Sequence, residues 1–161
     1  MSLKKRKRLE KFLEENLDNV YRFAYTYMRR REDAEDVVSE SVVKALKGLD
    51  KLKDDNAVRS WFYSIVSNTA LSALRSRGRC TCDEAELDTL QTEDDHSMLN
   101  FESMIKILDE QSKAIIVMKC CDGMTFSEIG GVLRMNENTV KTRFYTALKR
   151  LKNDEENERR M

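Results

Sequence analysis

Proline is absent from this chain of 161 residues, and only five glycines occur. Nothing in it forces helices to break or demands long irregular loops. Few segments alternate apolar and polar residues with period two, so strands have little support and the fold class expected is all-α. No run approaches the roughly 18–20 consecutive apolar residues of a membrane span. The basic start Lys4-Lys5-Arg6-Lys7-Arg8 leads into an amphipathic stretch instead of the apolar core of a signal peptide, which predicts a cytoplasmic protein. Cysteine is confined to Cys80, Cys82, Cys120 and Cys121. In a reducing compartment these are free thiols. Neither pair has the spacing of structural zinc ligands, and His96 is the single histidine, so no metal and no cofactor are expected. A Gly-rich phosphate loop is missing, and the acids have no nucleophile or histidine beside them. The chain therefore offers no catalytic constellation and no site for a small-molecule substrate.

Charge is abundant and segregated. Charged residues make up 36% of the chain and cancel to a formal net charge of zero. Yet residues 1–31 hold ten Lys/Arg against four Asp/Glu, residues 77–110 three against ten, and residues 133–152 six against one. Basic patches separated by acidic segments suit a protein that binds a polyanion and stays soluble.

Apolar residues at Leu9, Leu13, Leu17, Val20, Ala24 and Tyr27 recur at three- and four-residue steps, one face of a helix that ends at Arg29-Arg30-Arg31. A second helix opens with acids at 32–36 and offers Ala34, Val37, Val38, Val42, Ala45 and Leu49 to a core, up to a turn over Gly48–Asn56. A third spans about Val58–Arg75. Three amphipathic stripes can bury themselves only against one another, which predicts a first domain over 1–76. Residues 77–100, mostly Asp, Glu, Thr, Ser and Gln, read as a flexible linker. A second helical unit follows over 101–152, with Cys120–Gly123 as a turn and a frayed tail over 153–161.

Within that unit, Thr125-x-x-Glu128 has the capping-box pattern and Asn136 can cap the last helix. A helix to about Arg134, a short turn and a helix from about Glu137 have helix-turn-helix spacing. Its second helix would present Asn138, Thr139, Lys141, Thr142, Arg143, Tyr145 and Thr146, donors suited to base edges and phosphates. Periodicity alone is met equally by a three-helix bundle with a solvated basic face. From Val58 to Cys82 no acid occurs, and Arg59, Trp61, Phe62, Tyr63 and Arg75 mix cations with aromatic rings. Rings can stack on unpaired bases while arginines hold the backbone. Asn68 and Ser72, four apart, could hydrogen-bond an exposed base. Trp61 and Phe62 could equally be core.

Four segments, in this order, resemble the extracytoplasmic-function (ECF) sigma factors of bacterial RNA polymerase: Arg-Glu-Asp-Ala-Glu-Asp-Val-Val (31–38), Arg-Ser-Trp-Phe-Tyr-Ser-Ile-Val-Ser-Asn-Thr-Ala-Leu (59–71), Gly-Met-Thr-Phe-Ser-Glu-Ile (123–129) and Asn-Thr-Val-Lys-Thr-Arg-Phe-Tyr-Thr-Ala-Leu-Lys-Arg-Leu (138–151). The resemblance implies a promoter-directed initiation factor with a region 2 over 1–76 and a region 4 over 101–152. It implies that Asp33, Glu35, Asp36 and Glu40 dock on the polymerase β′ clamp, with further contact to the β flap. Arg59, Trp61, Tyr63, Asn68, Ser72 and Arg75 would meet the opened −10 element, and residues 138–146 the −35 element. An anti-sigma factor would be a regulating partner, able to hold the protein at the membrane. Ser72 departs from the family's usual Asp or Asn, and Thr146 from a frequently basic position. Gly130-Gly131 departs from helix-forming residues, which predicts a loosely held first helix of the motif. Two rival functions predict other behaviour. A stand-alone transcriptional regulator would bind a palindromic operator without polymerase, and a protein-binding adaptor would leave the basic face over 138–146 without a purpose.

Overall fold

In the computed structural model, which describes residues 3–76 and 106–160, every regular element is helical. Helix α1 (Leu3–Met28) ends where Arg29 turns left-handed at φ 60°, its amide still donating to the Tyr25 carbonyl at 2.9 Å. Helix α2 (Arg31–Lys47) carries Glu32 and Asp33 in its first turn and Lys44 and Lys47 in its last, each sign on the end where the helix dipole favours it. Two 3-10 turns, Leu49–Lys51 and Asp55–Ala57, lead into α3 (Val58–Ser76). The second turn is fixed by Asp54, whose carboxylate accepts the Asn56 amide at 2.9 Å.

Helices α1, α2 and α3 pack on one another around an aromatic centre. Phe23 and Tyr63 rings stand edge to face at 4.8 Å between centroids, Phe12 and Phe62 at 5.9 Å, and Phe23 and Tyr27 at 5.4 Å. Edge-to-face pairs of this kind add to simple area burial. The buried Tyr27 hydroxyl shares a hydrogen bond with Ser67 at 3.0 Å, so both of these polar groups are satisfied where α1 meets α3. Two details differ from the periodic reading. Leu17, expected on the inner face, is exposed, while Phe12 and Phe23 hold the positions that bury α1. The stripes also do not close only on one another: α3 packs against the second unit as well.

That unit begins, within the described residues, at a turn over residues 106–108, with Leu108 buried. Asp109 caps α4 (Glu110–Ile116) by accepting the Ser112 amide at 2.8 Å, and these hydrogen bonds hold its carboxyl below the usual range. The helix then widens into a π turn over Val117–Cys121. Cys120 and Cys121 thus prolong a helix, and the expected turn begins only at Asp122, where Gly123 adopts φ +64°. Helix α5 (Phe126–Leu133) and helix α6 (Glu137–Arg160) follow. Residues 153–160, expected to fray, continue α6. They hold only Asn, Asp, Glu and Arg, with no glycine to break the helix, and Arg159 pairs with Glu155 at 2.9 Å one turn away. The acidic linker over 77–100, with Cys80, Cys82 and His96, and the first five residues of the second unit, 101–105, lie outside the described residues.

Candidate nucleic-acid interface

The helix-turn-helix is set by local chemistry. Thr125 accepts the Glu128 amide at 3.1 Å while the Glu128 carboxylate accepts the Thr125 amide at 3.2 Å, a complete capping box. Arg134 ends α5 in the left-handed region, φ 57°, and the chain doubles back so that the Met135 amide reaches the Gly130 carbonyl at 2.9 Å. A side chain at Gly130 would bring a Cβ within 2.7 Å of the Met135 carbonyl oxygen. This glycine is therefore what lets the turn close, a packing reason for its place in α5 beside its cost to the helix. Gly131, with open space around it, keeps only the cost of glycine in a helix. Asn136 then accepts the Asn138 amide at 2.8 Å and starts α6.

The expected α6 residues divide between two faces. Asn138, Lys141, Thr142 and Tyr145 share one face by their three- and four-residue spacing, and all are exposed. The Tyr145 ring leans on Phe144 at 5.3 Å and Phe126 at 6.1 Å, and Lys119 and Lys141 place their ammonium groups over Phe126 at 4.4 and 5.8 Å. Aromatic rings thus hold two cations beside this face. The Thr142 hydroxyl donates to the Asn138 carbonyl at 3.0 Å, leaving it as an acceptor toward any partner. Thr139 is exposed to one side. Arg143 and Thr146 line a groove of about 210 Å³ with Asp109, Ser112 and Arg150, between α6 and the start of α4, and Thr142 borders both this groove and the exposed face.

The α3 residues divide as well. Asn68, Ser72 and Arg75 are exposed on one face, and Trp61 is half-buried while its neighbour Phe62 is fully buried core. Arg59 and Tyr63 are turned elsewhere. The Arg59 guanidinium donates to the Asp122 carbonyl at 2.8 Å and to both carboxylate oxygens of Glu128, at 3.1 and 3.3 Å. Tyr63, fully buried, donates its hydroxyl to the Asp122 carboxylate at 2.6 Å. From α1, Asn19 donates to the Cys121 carbonyl at 3.2 Å. These contacts join the three-helix unit to the turn ahead of the helix-turn-helix. Tyr63 is thus placed as a buried anchor, not as an exposed stacking ring.

Electrostatics distinguish the two acids of this seam. Burial pushes the Asp122 carboxyl up to about 6, against the Tyr63 hydrogen bond and the Arg59 charge, and its Oδ1 is buried without a hydrogen-bond partner. For Glu128 burial also opposes ionisation, but the Thr125 amide and Arg59 outweigh it and hold the carboxyl below the ordinary range. Sequence reasoning missed Asp122, Asn19 and the second role of Glu128. Each contact joins residues 59 to 102 positions apart, which leaves no periodic signal.

On α2, Glu35, Asp36 and Glu40 are exposed and Asp33 half-buried. Glu35 pairs with Arg31 and Glu40 with Lys44, each at 3.3 Å one turn away, so part of the acidic face is neutralised within its own helix. Among the described residues no group of three or more His, Cys, Asp or Glu could hold a metal ion, and no helix is long and apolar enough to cross a membrane. Burial raises both the Cys120 and Cys121 thiols, which keeps them protonated.

Residues 12–80 match the family model of Sigma-70 region 2, and residues 98–151 that of Sigma-70 region 4. The chain is 33% identical over 132 residues to the RNA polymerase sigma factor SigV of Bacillus subtilis (strain 168), covering 80% of each chain. It is 29% identical over 140 residues to the ECF RNA polymerase sigma-E factor of Salmonella typhimurium (strain 14028s), covering 75% of this chain and 73% of that one. In fold it is similar to the sigma factor RpoE from Bartonella quintana, solved in complex with the anti-sigma factor NepR: TM-score 0.72 at 20% identity, covering 89% of this chain and 94% of that one.

Proposed function

The chain belongs to the ECF sigma factors of the sigma-70 family, and from that premise we propose how its residues divide the work of promoter recognition. It is a sigma factor: it binds core RNA polymerase and directs promoter-specific initiation, using promoter DNA as partner and catalysing nothing itself. It acts in the cytoplasm, and an anti-sigma factor is the regulatory partner that accompanies this reading.

Region 4 reads the −35 element through α6. The observation that carries this is the capped helix-turn-helix, which presents Asn138, Lys141, Thr142 and Tyr145 together on one exposed face. Asn138 offers the amide that pairs with adenine, and Lys141 an ammonium for guanine or phosphate. Thr139 extends the face, while Arg143 and Thr146 flank it and reach the backbone from the groove side. Region 2 engages the opened −10 strand through α3. Asn68 and Ser72 hold an unpaired base, Arg75 the adjoining phosphate, and Trp61 supplies an apolar wall. Arg59 and Tyr63, on the other face of α3, position this helix against the second unit instead of meeting DNA. Asp33, Glu35, Asp36 and Glu40 meet the β′ clamp, and region 4 meets the β flap.

Run-off transcription with core RNA polymerase on fragmented DNA from the source genome tests the reading. New start sites that appear only with the chain, and share two upstream elements, support it. Transcripts identical with and without the chain would overturn it.

A further inference from the structure

The opening run Lys4-Lys5-Arg6-Lys7-Arg8 takes no part in the division of work just described. It forms the first turns of α1, and packing fixes their position. Leu9 is fully buried, and the Phe12 ring stands edge to face with Phe62 and Tyr63 of α3, at 5.9 and 6.3 Å. Lys4, Arg8 and Lys11 follow at four- and three-residue steps, so they share one exposed face over about 10 Å of helix. Glu15, one turn further, ends the row, and Arg6 pairs with Glu10 on another face at 3.1 Å. Among the described residues neither Lys4 nor Lys11 has an ion-pair partner.

Arg8 shows where this row lies. Its guanidinium donates to Asn56 Oδ1 at 2.7 Å, across 48 positions of sequence. Asn56 belongs to the 3-10 turn that leads into α3, and Asp54 accepts its amide. From there Ser60, Ser64, Asn68 and Ser72 step by four along α3. The Ser60 and Ser64 hydroxyls donate to the Ala57 and Ser60 carbonyls, which leaves their oxygens as acceptors. Arg75 supplies a cation at the far end of this row. At the near end Arg59 is turned to Asp122 and Glu128, so α3 offers polar groups there without a charge for a phosphate. The cations beside that end come from α1.

We infer, resting on the sigma-factor reading above, that Lys4, Arg8 and Lys11 bind the sugar-phosphate backbone of single-stranded DNA, continuing the −10 face of α3 past the 55–57 turn. Such contacts hold the strand and read no sequence. Arg8 takes part while it braces Asn56, because a guanidinium keeps further N–H donors after one contact. A lipid surface is the less suited polyanion. A helix that lies on a membrane keeps its apolar face for the acyl chains. Here Leu9 and Phe12 are buried in the core, and Leu3 is the exposed large apolar residue ahead of them.

The test uses the full chain and a fluorescein-labelled oligothymidylate of about twenty nucleotides, with anisotropy read from about 50 to 200 mM salt. The triple variant Lys4→Gln/Arg8→Gln/Lys11→Gln should bind about tenfold more weakly at the low-salt end. Its plot of log affinity against log salt should flatten by about two, since each single-strand phosphate contributes about 0.7 to the slope. Lys4→Gln/Lys11→Gln leaves the Arg8–Asn56 contact in place and should flatten the slope by about 1.4. Arg8→Lys keeps the charge and should keep the parent slope. Circular dichroism checks the fold, and the double variant, which alters only exposed side chains, carries the test should the triple variant unfold. Sedimentation with phosphatidylglycerol vesicles is the second arm. Vesicle binding that the triple variant loses, beside unchanged oligonucleotide binding, would overturn the inference in favour of a membrane surface. A parent that does not bind the oligonucleotide at low salt would also overturn it, as would a folded triple variant with the parent's slope. Run-off transcription with core RNA polymerase of Bacillus subtilis separates this from the reading beneath it. A parent that directs no new start site fails as a sigma factor whatever the oligonucleotide shows, whereas a parent that directs one keeps that role even if the variants bind as it does.

Discussion

The two adjacent glycines of α5 should respond to the same substitution with opposite signs. Replacing glycine by alanine inside a helix normally stabilises by about 0.5–1 kcal/mol, because the unfolded chain loses freedom and the helix gains a good former. Gly131 has open space around its Cβ position, so Gly131→Ala should show that gain in full. At Gly130 the new methyl would meet the Met135 carbonyl oxygen at 2.7 Å. The obstacle is backbone, and it belongs to the residue whose amide closes the turn onto the Gly130 carbonyl. Relief requires the turn to open. Overpacking of this kind costs roughly 1–3 kcal/mol, which more than offsets the helix gain. Gly130→Ala should destabilise by about 1–2 kcal/mol, leaving a difference near 2–3 kcal/mol between neighbouring positions. Urea unfolding followed by circular dichroism measures both. A Gly130→Ala protein as stable as the parent would refute the claim that this glycine is required by the close approach. The substitution should also tilt α6, so weaker −35 duplex binding should accompany the loss of stability.

Other outcomes follow from single contacts. Thr125→Ala removes half of the capping box and should cost about 1 kcal/mol, with Thr125→Ser recovering most of it in the same unfolding assay. Burial pushes the Asp122 carboxyl up to about 6 from the 3.8 of a free carboxyl, so its burial cost is absent well below pH 4 and complete above about pH 6. Asp122→Asn should therefore stabilise at pH 7.5 by about 1–2 kcal/mol, after discounting for the partly exposed site, and by little at pH 4, as read from melting temperatures. Lys141→Ala should weaken −35 duplex binding. Equal losses across sequences with a salt slope reduced by about one would identify a phosphate contact, whereas a loss of about 1–3 kcal/mol at one position would identify base reading. Asn68→Ala should leave that duplex binding intact but lower permanganate reactivity in the −10 region, and unchanged opening would refute its role.

Local features were the legible ones. The all-α class, the Thr125–Glu128 box and the Asn136 cap follow from residues within four positions of one another, and the structure forms each of them. The inner face of α1 was legible only in part, because Leu17 fits the same period as its neighbours yet points outward. Apolar spacing defines a stripe, and the width of the partner decides which edge of it is covered. Gly130 was read only in part for a related reason. Its propensity cost is a property of α5 alone, whereas the space it vacates matters only once Met135 returns to it. On α6, composition gave seven donors without saying that Arg143 and Thr146 would turn toward α4.

The seam was invisible for a further reason, which bears on how the protein works. Arg59 looked like a nucleic-acid ligand because it is a cation among aromatic rings, and Glu128 looked like a cap because it follows threonine by three. Both readings are chemically sound, and the structure adds a second use that competes with the first for Arg59. A guanidinium that suits a phosphate also suits a carboxylate, by the same charge and the same paired donors. A part-buried pair of this kind, with about a third of each side chain exposed, is still partly screened by salt. Asp122 supplies the opposite bias, since its carboxylate is held away from water at neutral pH. The buried apolar residues of both units belong to one continuous cluster, so these polar contacts decide how α3 seats on the second unit more than how strongly the two are held.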